Sequence, residues 1–522
     1  MKKVFFCIVS TFYLLTNATA QTNSPTDTIV SSTLNGTILD EKNQQALPYA
    51  NIITLNNGKG TISNEHGNFT IDIANLKMND TIRFQCIGYK IKELTIERIA
   101  NNAPILLSEN IYTLDEVLVL GTTPDPVEIV KNILAYKDSN YRTTPHKKQV
   151  FIRERSSTEF EKYKISLLKN NIEELNTDLL EKGLNSAQKF NLSYSDFLGN
   201  HYQKIDEEGK IKHKVSPIKI VKLQEKEEED NMDGLTDSFS EILNNTQDNE
   251  YWKLKTGILS FKVDVGESQV SIGNVEKEDT INTNPTDSLI NDNISKEKKS
   301  KKLYNTYMYD ANQFSSLNNE KQWDFLYQPN HYNYKITGGN LVQDEQVYII
   351  DFTPKRRGEY EGRIYVSIET NAILRADYKY AKNKTGTNIN LFGVGYKQSN
   401  FEGSIYFKKV NDHYRLKYLS YQSEYSIKLN RKFAFVKKQK RKFFDKYINK
   451  IKFDVDFVQK EKISLEKLVI NQQEITTDEF ESYEPKEKME ITYINQFDEN
   501  LWKGYTTITP TKQMKEYKKL EE

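Results

Sequence analysis

Between residues 34 and 121, short apolar runs alternate with polar residues and are parted by turn formers. Phe69, Ile71 and Ile73 alternate with Thr70 and Asp72, and Ile82 and Phe84 alternate with Arg83 and Gln85. That is the two-residue period of a strand with one buried face. Gly36, Gly60 and Gly67 stand where runs begin or turn, places where glycine tolerates a positive φ. Pro48 suits an edge or a strand start, because it has no N–H to give a central ladder. The pattern predicts a small all-β sandwich.

After Gly121 the period changes. Asp125-Pro126 with Glu128 is a helix start, a cap followed by proline in the first turn. Val127, Val130, Ile133 and Leu134 form one stripe at helical spacing, predicting a helix to about Lys137. A strand is expected near Gln149–Arg155. Further amphipathic helices are expected over 172–184 (Ile172, Leu175, Leu179, Leu180, Leu184) and 235–243, so that 122–250 reads as a helical connector region. Tyr251 to Val265 reads as β structure. Residues 273–302 are almost all polar or charged and cannot bury enough apolar surface to order themselves; they read as an insertion within a 251–302 segment. From 303 to about 427, strand candidates at 334–336, 346–352, 362–368, 372–380, 401–408 and 413–421 are punctuated by Asn340, Pro354, Gly358, Asn371, Gly403 and Asn411-Asp412, the mark of an antiparallel meander. The fold class expected is mainly β with a helical connector (α+β), an N-terminal sandwich plus a C-terminal antiparallel sheet domain over 303–522. A membrane barrel does not fit, because Lys, Glu and Asn interrupt both faces of these strands.

The order Gly36, Pro48, Gly60, Gly67, Phe69, Gly88, Tyr89, then Leu114, Glu116, Val117 and Val119 resembles the carboxypeptidase-regulatory-like (transthyretin-like) domain of Bacteroidetes envelope proteins, covering about 34–121. The same module opens many TonB-dependent receptors. The helix at Pro126, where a plug and barrel would follow in such a receptor, departs from that plan. The resemblance implies a β-sandwich acting as an accessory module. A weaker likeness links Gly362–Val366 and Thr370–Leu374 to curved sheets of periplasmic lipoprotein-carrier type.

The start of the chain adds a setting. Lys2-Lys3, the apolar run Val4–Leu15 and Ala18-Thr19-Ala20 before Gln21 form a secretory signal pattern over 1–20, too short to span a bilayer. Residues 21–33 read as a flexible lead. An exported protein in the periplasm or at the outer membrane is expected. Cys7 lies within the apolar run, which leaves Cys86 as the one thiol of the mature chain. No internal disulfide is then possible, and Cys86 reads as a buried structural thiol. Lys+Arg and Asp+Glu are both 73, so no global field draws the chain to nucleic acid.

Catalytic chemistry finds little footing. His66, His146, His201, His213, His331 and His413 are the six histidines, and none belongs to an H-x-x-E or H-E-x-x-H pair of a zinc peptidase. His66 is expected solvated in a turn, and His201 and His213 at the surface. No G-x-S-x-G, P-loop or Cys/His set is present. No catalytic, metal or cofactor residue is assigned and no cofactor is expected. The sequence points to a non-catalytic envelope protein binding a partner protein, glycan or other ligand; the alternative is a surface hydrolase on peptide or glycan with the sandwich as accessory. Two surface features remain. Residues 428–452 hold eleven Lys or Arg and one acid, Asp445, interleaved with Phe433, Phe435, Phe443, Phe444, Tyr447 and Ile451. They read either as a contact for anionic lipid or as a solvated helix or hairpin whose aromatics pack inward. Asp-Thr-Ile at Asp27, Asp80 and Asp279, with Asp287-Ser288-Leu289, matches the short acceptor pattern of Bacteroidetes O-glycosylation, with Thr280 and Ser288 the better placed.

Overall fold

The structure is a computed structural model that describes residues 33–110, 124–172, 190–223, 241–272, 314–484 and 491–517, apart from a few positions inside these ranges. The signal pattern, the closing Leu114–Gly121 motif, the polar stretch 273–302, most of the expected helix 172–184, residues 235–240 of the next one and the acceptor motifs at Asp27, Asp279 and Asp287 lie outside the described residues.

The N-terminal apolar runs become seven strands: β1 (Thr33–Asp40), β2 (Asn51–Thr54), β3 (Gly60–Ile62), β4 (Asn68–Asp72), β5 (Thr81–Gln85), β6 (Lys92–Thr95) and β7 (Pro104–Leu107). They form two sheets, β4-β1-β7 and β3-β2-β5-β6. Leu34, Ile38, Ile52, Phe69, Ile71, Ile82, Phe84 and Ile105 fill the space between them, and the Phe69 and Phe84 rings meet edge-on at 5.6 Å. Cys86 is buried and not in a disulfide. Gly67 has φ +74 and lies against the Ile38 carbonyl. Tyr89 of the Gly-Tyr corner donates its hydroxyl to Asp40 at 2.7 Å, which ties the corner back to β1.

Helix α1 (Pro126–Ala135) starts where expected. Asp125 accepts a hydrogen bond from the Val127 amide, and Ile129, Val130 and Ile133 are buried. It ends at Ala135, and a short α2 (Lys137–Asn140) follows. The rest of the expected connector is corrected: most of its described length is strand. β8 (His146–Lys169), β9 (Phe190–Ile205) and β10 (Ile211–Leu223) are long strands of the main sheet, because β9 and the strand Lys446–Glu474 supply hydrogen-bond ladders on both sides of β8. Among the described residues of this region, helix is found at α1, α2 and residues 241–244.

The remaining elements are β11 (Glu250–Thr256), β12 (Leu259–Gly266), β13 (Gln269–Ile272), α3 (Asp324–Tyr327), β14 (Tyr332–Val342), β15 (Glu345–Pro354), β16 (Tyr360–Ser367), β17 (Ile373–Tyr380), β18 (Asn388–Leu391), β19 (Val394–Val410), β20 (His413–Gln439), β21 (Lys446–Glu474), α4 (Thr477–Ser482), β22 (Ile491–Ile494) and α5 (Lys512–Lys515). The main sheet runs β14-β15-β16-β17-β19-β20-β21-β8-β9-β10-β22, with β11 added on β20 and β18 on β19. It is open, with β14 and β22 at the ends of that path, and antiparallel except for β10 with β22. The meander expected over 303–427 is present, with β19 and β20 far longer than their sequence signals.

One face of this sheet carries the largest core. Ile129, Val130 and Ile133 of α1, with Phe314, Trp323, Phe325 and Leu326, pack on Val150, Ile152, Phe197, Ile350, Phe352, Ile364 and Leu419; the Phe325 and Phe352 rings stack at 4.2 Å. On the other face sits the sandwich, through Ile62, against Phe151, Leu198, Tyr406, Tyr418 and Leu468. Residues 502–509 lie in that same interface. Trp502 and Ile508 join its core, and the Thr507 and Thr509 carbonyls accept from Thr61 and Asn64 of the sandwich. Arg153 of β8 donates to the Ile508 carbonyl at 2.7 Å and twice to Asp196, also at 2.7 Å.

Candidate functional site

Residues 428–452 form the distal end of the β20–β21 hairpin, with the turn at 440–445. The hairpin reading with inward-packed aromatics holds for part of the stretch. Phe433, Phe435, Ile451 and Phe453 pack inward with Trp252 and Leu254 of β11, since strand alternation places them all on the covered face. Phe443 and Phe444 do the opposite: they are 84% and 88% exposed at the turn. Lys440, Arg441, Lys442 and Lys446 around them are exposed too. The one acid of the stretch, Asp445, accepts the Tyr251 hydroxyl, which lowers its carboxyl pKa. Lys438 lies over the Tyr447 ring, 4.8 Å from its centre. Lys437 departs from its neighbours. It is buried, with its ammonium 2.8 Å from Glu250, so it holds β11 to β20 and is no part of the surface charge.

A second cluster carried no motif. On β8, the inward positions His146 and Lys148 continue the face of Val150 and Ile152. The ladder sets His201 of β9 opposite Lys148, Lys467 of β21 opposite Ile152 and Arg415 near the start of β20. His146 is 3%, Lys148 7% and His201 0% exposed. His201 is therefore corrected from the surface to the deep interior, because the β8–β9 pairing turns it toward the α1 face; His213 does remain exposed, with its ring 5.8 Å from that of His201. His66 is exposed in its turn, as expected.

A cavity of about 560 Å³ opens here between α2, residues 315–318 and strands β8, β9 and β20. Lys137, Arg142, His146, Lys148 and Arg415 line it, with Asp138 as the one acid. Its apolar walls are Tyr141, Leu317, Phe407, Tyr414 and Leu416, and Ile205 and Ile211 stand at its edge, partly in solvent. The His146 Nδ1 is 2.7 Å from the Thr144 carbonyl, while its buried Nε2 has no partner among the described residues. Both ring nitrogens of His201 are in the same state. Burial first, and the Lys148 charge second, push His146 down to about 3 and hold His201 well below its ordinary value. Burial and Arg415 bring Lys148 down to about 8. Arg415 donates to the Arg142 carbonyl and the Thr144 hydroxyl and has Glu474 at 3.6 Å, itself about half exposed. By contrast, the buried Arg153 has its own carboxylate. Among the described residues, no group of three or more His, Cys, Asp or Glu is arranged to hold a metal ion.

One sequence signal could have exposed this cluster. His146-x-Lys148-x-Val150-x-Ile152 keeps a strict two-residue period, so a basic pair shares the face of an apolar one. Lys467 between Leu465 and Val469 repeats the device.

With this geometry in view, the chain can be set beside known proteins. Residues 34–119 match the family model of the CarboxypepD_reg-like domain. That match falls on the sandwich and agrees with the order of its glycine, proline and aromatic positions. No curated protein matches the chain. Among solved structures, a DUF1329 family protein from Desulfovibrio piger is similar over 64% of this chain and 93% of its own, at 13% identity and a TM-score of 0.19. MucB in complex with MucA(peri) is similar over 63% and 93%, at 7% identity and a TM-score of 0.16. A putative membrane-associated protein of unknown function from Bacteroides fragilis is similar over 35% and 93%, at 10% identity and a TM-score of 0.12. Overlaps this loose do not establish a common fold. No helix among the described residues is long and apolar enough to cross a membrane.

Proposed function

We propose that this chain is a non-catalytic protein of the cell envelope that rests on an anionic membrane surface through the tip of its β20–β21 hairpin. The observation that carries the reading is the exposed pair Phe443-Phe444 ringed by Lys440, Arg441, Lys442 and Lys446. Two adjacent phenylalanines held in water at the end of a hairpin gain from entering an acyl boundary, and the surrounding cations gain from anionic head groups. The sandwich, packed on the opposite face from α1, is the accessory module of this design. The secretory pattern of residues 1–20 supports an exported location, in the periplasm or at the outer membrane.

Each basic residue near an anionic surface contributes about 1 kcal/mol, so four contribute roughly 4 kcal/mol, close to a thousandfold in partitioning. Co-sedimentation with phosphatidylglycerol vesicles should retain the protein, and phosphatidylcholine vesicles should not. Exchanging Lys440, Arg441, Lys442 and Lys446 for Glu should abolish retention, and raised salt should weaken the parent. Lys437 is left in place, because its ion pair belongs to the fold. Retention that is independent of salt and survives the exchange would overturn the reading.

A further inference from the structure

Buried cations are rare unless an anion or a metal site accounts for them. Lys148 has no hydrogen-bond or ion-pair partner among the described residues, and the carboxylate nearest Arg415 is half in solvent. The His146 ring donates from Nδ1 to the Thr144 carbonyl, so its buried Nε2 keeps a lone pair with no partner among the described residues. Three basic or proton-accepting side chains, each over nine-tenths buried, thus line one space, and the acids near them are Asp138 on the lining and the half-exposed Glu474 beside Arg415. The wall beside them is aromatic and aliphatic, with Tyr141 edge-on to Phe407 at 5.0 Å. At the mouth, Ile205 and Ile211 face each other across the β9–β10 connection and are 42% and 51% exposed.

We infer that this cavity binds an anionic amphiphile, its compact phosphate or carboxylate head against Lys148, His146 and Arg415 and its apolar body along Tyr141 and Phe407 toward Ile205 and Ile211. The volume falls within the range of small-molecule sites. The head supplies the anion that Lys148 lacks among the described residues. An apolar mouth leading to a basic floor selects a ligand polar at one end only. The inference is independent of the membrane contact, which lies at the other end of β20.

Isothermal titration calorimetry on the full chain tests it with three probes: dihexanoyl phosphatidic acid below its micelle concentration, decanoate and inorganic phosphate. One-to-one binding of at least one amphiphile is expected, at least tenfold tighter than inorganic phosphate. Lys148→Met should weaken it at least tenfold and raise the melting temperature of the ligand-free chain, because an unmatched buried charge is gone. His146→Gln, a milder change, should also weaken it, and Lys335→Met, an exposed cation on β14, should not. Absence of binding by all three probes would overturn the inference, as would unchanged affinity in both cavity variants. Equal affinity for inorganic phosphate and the amphiphiles would overturn its apolar half and assign the site to a free anion.

Discussion

Replacing Arg153 with alanine removes the guanidinium that joins β8, β9 and the 502–509 segment. In the folded chain it donates two bonds of 2.7 Å to Asp196, which is 1% exposed, and a third of 2.7 Å to the Ile508 carbonyl. Its loss leaves a carboxylate sealed in the interior without a counter-charge, which costs about 3–5 kcal/mol. The orphaned Ile508 carbonyl adds about 1 kcal/mol. Replacing both partners at once, Arg153→Met with Asp196→Leu, removes the buried charges together and should recover most of the loss. Urea unfolding followed by tryptophan emission is a suitable assay, because Trp502 meets the Phe151 ring edge-on at 5.3 Å beside this pair. A loss under about 1 kcal/mol in Arg153→Ala, or a double variant no more stable than the single one, would refute the reasoning.

Two further outcomes follow from the same packing. His146 is held at about 3 and His201 well below 6.5, so both stay neutral when folded and take a proton when unfolded below about 6.5. The folded state binds fewer protons, and stability should fall as pH drops from about 6.5 toward 3, by up to about 1.4 kcal/mol per pH unit for each ring; His201→Leu should flatten that fall, and equal urea midpoints at pH 7 and pH 5 would contradict it. In the sandwich, a Cβ on Gly67 would lie 2.5 Å from the Ile38 carbonyl at φ +74, so Gly67→Ala should lose more than about 1 kcal/mol, whereas Gly58→Ala, which meets the same backbone strain at φ +65 but no clash, should lose less in the same melting experiment.

Legibility in the sequence followed the source of each element's order. The sandwich could be read because its turns need particular residues, such as Gly67, and its strands alternate cleanly, as in Phe69 to Ile73. The α1 start could be read because Asp125 and Pro126 act locally. β8 could not be read at its full length. Glu159, Glu161, Lys162 and Lys164 mark no buried face, and their strand is dictated by the ladder from β21, some three hundred residues downstream. The cavity was hidden for a similar reason. Lysine and histidine in a strand read as solvent-facing, and the burial of Lys148 depends on α2, residues 315–318 and β20. At the hairpin the aromatic count was visible, but which rings turn inward depends on where the turn falls: Phe435 precedes it and packs, while Phe443 and Phe444 occupy it and protrude.

The membrane contact is tested most directly by Phe443→Trp read against vesicles that carry bromine at known acyl depths. The native Trp252, Trp323 and Trp502 are buried and out of reach of such lipids. The account predicts a blue shift of the added emission on phosphatidylglycerol vesicles and quenching that is strongest for bromines near the head-group boundary. Emission that stays at the wavelength of water-exposed tryptophan, unquenched at every depth, would contradict it.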